Sequence, residues 1–196
     1  MDLIKSNTDK SRALDILEQS FASTPGINWI IGKYRSKRTL RTFLSIFYHD
    51  ASARNGAYLT KDRNGVVLFY QLQNRRKTLI NSLRKIYVVL FLTGIKNGIK
   101  AIKYQRIVNN IRPEEGWIGL LSATDSAKTN SSAANEIKQE MFHLADSTNQ
   151  PIYLETTIPR VMLLSKAAGY IEYNQIKHPY KDLTIWFLQR DPQKIN

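Results

Sequence analysis

Trp117-Ile-Gly-Leu-Leu-Ser-Ala123 opens the stretch on which the fold turns. This apolar run leads into small and polar residues, Thr124 to Ala133, and a long segment with helical spacing follows, Ile137, Met141, Leu144 and Ala145 on one side and Glu136, Lys138 and Glu140 on the other. A second short run, Ile152-Tyr-Leu-Glu155, comes next, and a last apolar segment ends at Gly169-Tyr170. The order predicted is strand, loop, helix, strand, helix. A strand feeding small residues at a helix start is a way to hold an anion, because the first amides of a helix lack internal partners.

Working outward, Pro113 marks a boundary before the apolar run. Upstream, the spacing predicts helices over 9–22 and 36–53, the first capped by Asp9 or Ser11 and ended by Thr24-Pro25-Gly26. Arg38 and Arg41 sit at the start of the second helix, where the macrodipole disfavours cations, so a partner outside that helix is expected. Runs 56–60 and 66–70 flank Lys61-Asp-Arg-Asn-Gly65, and Asn-Gly is a hairpin signal. The second run is apolar on successive residues, as in a strand buried on both faces. Two basic amphipathic segments, 75–92 and 97–110, meet at Thr93-Gly94. Downstream, a helix over 159–168 and strands over 170–174 and 183–189 complete a mixed sheet with helices on both faces.

A chain of 196 residues with 42% hydrophobic and 23% charged residues suits one globular domain, 1–196. It has no cysteine, which excludes disulfides, thiolate catalysis and cysteine metal sites, and its three histidines, His49, His143 and His178, lack metal-ligand spacing. No metal is expected. The start of the sequence carries no signal-peptide core, and the longest apolar run, Ile86 to Leu92, is too short to span a bilayer. A cytoplasmic protein without a membrane partner is the expectation. Charge is uneven: residues 1–112 carry 21 basic and 6 acidic side chains, net +15, and 113–196 carry 8 and 10, net −2. No acid occurs between Asp62 and Glu114. Such asymmetry suits a solvated helix face, a nucleic-acid face or a pocket for a polyphosphate cofactor.

Glu115 to Ala123 followed by Lys128-Thr-Asn-Ser-Ser-Ala133 resembles the core of the GNAT acetyltransferases. The resemblance implies an α/β domain, a GNAT-like acyl-CoA N-acyltransferase fold with a central mixed sheet flanked by helices. In that family a loop of pattern Gln/Arg-x-x-Gly-x-Gly/Ala holds the pyrophosphate of acetyl-coenzyme A. Here Lys128 falls at the first place, Ser131 and Ala133 at the two glycine places, and Thr129, Asn130 and Ser132 between them. Glu155-Thr-Thr157, Leu164-Ser165 and Gly169-Tyr170 match later family positions, with Ser165 where the family carries its acid tyrosine. The charge count and the resemblance together divide the domain into a basic half, 1–112, and a cofactor-loop half, 113–196.

By position, the resemblance implies that the backbone of Leu121 and Ala123 meets the pantetheine arm. Glu115, near the start of the central strand, is the candidate catalytic base, with Glu155 beside it and Tyr153, Tyr170 and Tyr180 as alternative acids. Trp29 follows a loop and is either core or the wall of a substrate groove. The implied function is N-acetyl transfer from acetyl-CoA to an amine, borne by a small molecule or a protein. Two rivals stand beside it: a non-catalytic protein of this fold that binds an acyl-CoA or a protein partner, and a nucleic-acid-binding module. The last is not favoured, because no reader motif accompanies the charge. Acceptor, oligomeric state and pathway leave no trace in the sequence.

Overall fold

The computed structural model describes residues 1–32, 36–73, 94–128 and 132–194. Seven strands form one mixed sheet in the order β1-β2-β3-β4-β5-β7-β6. They are β1 (Asp2–Leu3), β2 (Ala57–Leu59), β3 (Gly65–Gln71), β4 (Trp117–Thr124), β5 (Ile152–Thr156), β6 (Ile171–Lys177) and β7 (Thr184–Arg190). The helices are α1 (Asn7–Phe21), α2 (Pro25–Ile31), α3 (Lys37–Ser52), α4 (Ile95–Ile111), α5 (Ala133–Ser147) and α6 (Pro159–Ala167). The mixed sheet flanked by helices is the architecture expected from the sequence. The predicted segment 75–92 lies outside the described residues.

Alternation along β3 sets the layers. Val66, Leu68 and Tyr70 point into a core with α1 and α3, through Leu14, Leu17, Leu40 and Leu44. Val67 and Phe69 point the other way, against Ile137 and Met141 of α5. All six residues from Gly65 to Tyr70 are buried, as a two-sided strand requires. Helix α4 covers β7 through Val108, Ile185 and Phe187.

Three local details differ from the sequence reading. Ser6 caps α1, accepting the Asp9 amide at 3.0 Å, so neither Asp9 nor Ser11 is the cap. Pro25 begins a helix rather than closing a loop, since proline at the first helical position loses no hydrogen bond. Strand β1 has only two residues, too short for alternation to reveal it. The partner expected for Arg41 is present: its guanidinium reaches Asp15 at 2.5 Å and Glu18 at 3.3 Å, tying α3 to α1.

Candidate active site

Strands β4 and β5 run parallel for three residue pairs only, Trp117–Ile152, Ile118–Tyr153 and Gly119–Leu154. Beyond Gly119, β4 continues five residues without β5, so the two strands fork. The cause lies on the other edge of β4. There Phe69 faces Gly119 and Leu68 faces Leu121, which leaves Leu120 as an extra residue, a β-bulge. A bulge bends its strand and increases local twist, and this one turns the second half of β4 away from β5. Gly119, at the last pair, has no room for a side chain: a Cβ there would stand 2.5 Å from Leu154 Cδ2.

The register fixes which backbone groups face the fork. The Asp125 amide donates to the Asn64 carbonyl at 2.7 Å, on the β3 side. Alternation back from Asp125 sends the amides and carbonyls of Ala123 and Leu121 to β3 as well, and those of Ser122 and Thr124 toward the fork. This corrects the expectation for Leu121 and Ala123: their backbone groups hold the sheet together, and the neighbouring residues line the opening.

The loop begins at Asp125, which is buried and engaged on all sides. Its Oδ2 accepts from Arg12 at 2.6 Å and its Oδ1 from the Ala127 amide at 2.9 Å. Arg12 also donates to the Arg63 carbonyl and to Asn64, fastening α1, the β2–β3 turn and the end of β4 together. The bond from Arg12, then that from the Ala127 amide, holds the Asp125 carboxyl below its ordinary range. Lys128 follows, exposed, its amide bonded to the Asp125 carbonyl at 3.0 Å. Thr129, Asn130 and Ser131 lie outside the described residues. Ser132 caps α5 without a side-chain hydrogen bond. Ala133 is fully buried, and its Cβ lies 2.9 Å from the place a Cβ on Gly65 would take. A small residue at 133 therefore serves close seating of α5 on β3.

Glu155 is the first β5 residue past the last β4–β5 pair. Both its oxygens are held by Arg112, at 2.7 and 2.8 Å. Burial is the largest single influence on Arg112 and opposes its charge, but the hydrogen bond and charge of Glu155, with smaller help from Tyr70 and Tyr173, together outweigh it and the guanidinium is raised. The Tyr173 hydroxyl faces the same centre: buried and without a hydrogen-bond partner among the described residues, it is pushed far up, first by burial and then by the Glu155 charge. Neither Arg112 nor Tyr173 stood out in the sequence. Tyr173 is the extra residue of a second irregularity, in β6 between Glu172 and Asn174, and no periodicity marks it.

Glu115 is not brought to the fork. It is exposed in the turn before β4, on the closed side, five residues short of the bulge, about 17 Å along a strand. Ser165 is buried, and its carbonyl closes the end of α6 by accepting from the Ala168 and Tyr170 amides. Tyr153 and Tyr170 are core residues. Tyr180 belongs to an aromatic group with Trp29, Tyr104 and His178, in which Trp29 stacks on Tyr180 at 5.6 Å and meets His178 edge-on at 4.6 Å. His178 Nδ1 accepts the Tyr180 amide at 3.2 Å, which leaves the ring proton of the neutral form on Nε2. Beside Trp29 opens a cleft of about 320 Å³ lined also by Pro25, Asn28, Lys181, Asp182 and Leu183.

No protein-family model matches the sequence, and no curated protein does. Solved structures do match. One is described as histone acetyltransferase HPA2 and related acetyltransferase from Corynebacterium glutamicum, 16% identical over 98% of this chain and 96% of that one, TM-score 0.62. Another is the C-terminal condensation domain of Ebony in complex with beta-alanyl-dopamine, 12% identical over 95% and 96%, TM-score 0.65. A third is arylalkylamine N-acetyltransferase 2 from Aedes aegypti, 15% identical over 98% of both chains, TM-score 0.60. The chain has the GNAT acetyltransferase fold over nearly its whole length.

Proposed function

We propose that this protein transfers an acetyl group from acetyl-CoA to an amine. The observation that carries the reading is the bulge-driven fork between β4 and β5, with a helix starting just past the wider end. Such an opening offers strand edge to an extended, amide-bearing arm, through the backbone of Ser122 and the amide of Thr124, whose carbonyl accepts from the Ser20 hydroxyl at 3.3 Å. Lys128 supplies positive charge beside the start of α5, where the helix field also favours phosphate. Acetyltransferases among the structural neighbours support the same class.

In the reaction the free amine attacks the thioester carbonyl. A C–N bond forms, the C–S bond breaks, the ammonium proton passes to a base and the departing thiolate takes up a proton. Glu155, the first β5 residue past the last β4–β5 pair, stands at the fork and replaces Glu115 as the proposed acceptor. The cleft at Trp29 is the proposed acceptor site: Asp182 offers a carboxylate to an ammonium and the indole a face to an apolar or aromatic body. Neighbours whose descriptions mention arylalkylamine and beta-alanyl-dopamine fit an amine with an aromatic part.

A second reading, acyl-CoA binding without turnover, is favoured by Ser165, a poor proton donor where the family carries tyrosine. One experiment addresses both. Acetyl-CoA at 100 times its dissociation constant stabilises by about 2.7 kcal/mol, a rise in Tm of about 5–10 °C for a domain of this size. Thiol release with a panel of arylalkylamines and peptides then reports transfer. A thermal shift without thiol release selects the second reading, and the absence of any shift sinks both.

A further inference from the structure

The outer face of α4 has an unusual composition. Ile99, Ile102 and Ile107 are 50%, 47% and 39% exposed, three of the large apolar side chains this domain leaves in solvent. Lys96, Lys103 and Arg106 are exposed among them. Positions 96, 99, 103 and 106 follow one another at spacings of three and four, so they form a single stripe along the helix, with Ile102 on one flank and Ile107 on the other. The opposite face is spoken for, since Val108, Tyr104 and Ile111 pack on β7. No carboxylate pairs with these three cations among the described residues, and no acidic residue occurs anywhere from 63 to 113.

We infer that this face of α4 docks on an anionic lipid bilayer surface. Isolated exposed apolar residues are ordinary, but three isoleucines on and beside one stripe of cations are not what solvent selects. Phosphate recognition alone, as on a nucleic-acid duplex, accounts for the cations and not for the isoleucines, and single-stranded nucleic-acid sites add aromatic side chains for stacking, of which this stripe has none. At a bilayer both components have a role. The isoleucines enter the headgroup and acyl boundary while the long basic side chains extend to anionic headgroups above them. Such docking lies on the surface. Among the described residues no helix is long and apolar enough to cross a membrane.

The test is co-sedimentation of the full chain with vesicles of phosphatidylcholine alone and of phosphatidylcholine with an equal part of phosphatidylglycerol. Binding is expected to the anionic vesicles only. Lys103→Glu with Arg106→Glu should weaken it about tenfold or more at low salt. Ile99→Ser with Ile102→Ser should weaken it severalfold at a salt concentration that screens the charges. Both pairs lie on the exposed face, so melting temperature serves as the control for folding. Failure to bind anionic vesicles overturns the proposal. Undiminished binding by the isoleucine variant overturns it too, as does charge-dependent binding to a DNA duplex by a protein that ignores the vesicles.

Discussion

Gly65 and Ala133 show how one missing atom places a helix. A Cβ at Gly65 would stand 2.9 Å from Ala133 Cβ, 2.9 Å from Thr60 Cγ2 and 3.0 Å from Ile137 Cδ1, and none of these can retreat far. Gly65→Ala is expected to destabilise by about 1–3 kcal/mol through overpacking, which thermal denaturation measures. It should also weaken acetyl-CoA binding, because the displaced turn is the start of α5. An unchanged Tm would mean that α5 is not seated as described. At the fork, Arg112→Met leaves the half-buried Glu155 carboxylate without its cation, a loss of about 3 kcal/mol. Glu155→Gln keeps the shape and removes the proton acceptor. On the proposed reading, kcat then falls about a hundredfold while acetyl-CoA affinity stays the same; equal kcat would take Glu155 out of the reaction.

Among the elements, β4 governs the site. Its first half is an ordinary member of the sheet, and the bulge at Leu120 converts its second half into one wall of an opening. The sequence marked the strand, the loop and the helix after it, since apolar runs, small residues and helical spacing are local signals. It could not mark the bulge, which is a mismatch with β3, some fifty residues away. The one-residue offset also decides which backbone groups face β5, and for this reason the resemblance, matched by position alone, pointed to Leu121 and Ala123 where the register turns Ser122 and Thr124 toward the fork. Lys128 tests the loop as a unit with α5. Lys128→Glu places a carboxylate beside the helix start, where anionic phosphate is proposed to sit, and should raise the acetyl-CoA dissociation constant about tenfold, corresponding to about 1.4 kcal/mol. Calorimetric titration measures this, and equal affinity would remove the loop from the binding site.

Across the whole molecule, charge and pH behaviour follow from how distant segments meet. His178 joins the β6–β7 connection to α2 and α4 through Trp29 and Tyr104. Burial, then repulsion by Lys181, lowers its pKa from the ordinary 6.5. The unfolded chain thus binds a proton that the folded chain refuses. Stability present above pH 6.5 is lost as the pH falls through 6.5 toward the lower folded value. His178→Phe should flatten the dependence of Tm on pH between about 6.5 and 5, a window above the titration of the Asp125 and Asp146 carboxyls, which cations hold below their ordinary 3.8. A slope identical to wild type would place that proton uptake elsewhere. By itself the sequence determined the order of the longer strands and helices, the two-sided burial of β3 and the concentration of cations up to Arg112, because each depends on neighbours along the chain. Tertiary structure alone decided the fork, the Arg112–Glu155–Tyr173 centre, the Arg12–Asp125 clasp and the cleft at Trp29. These bring together residues separated by tens of positions, and no local periodicity records which distant side chains will meet.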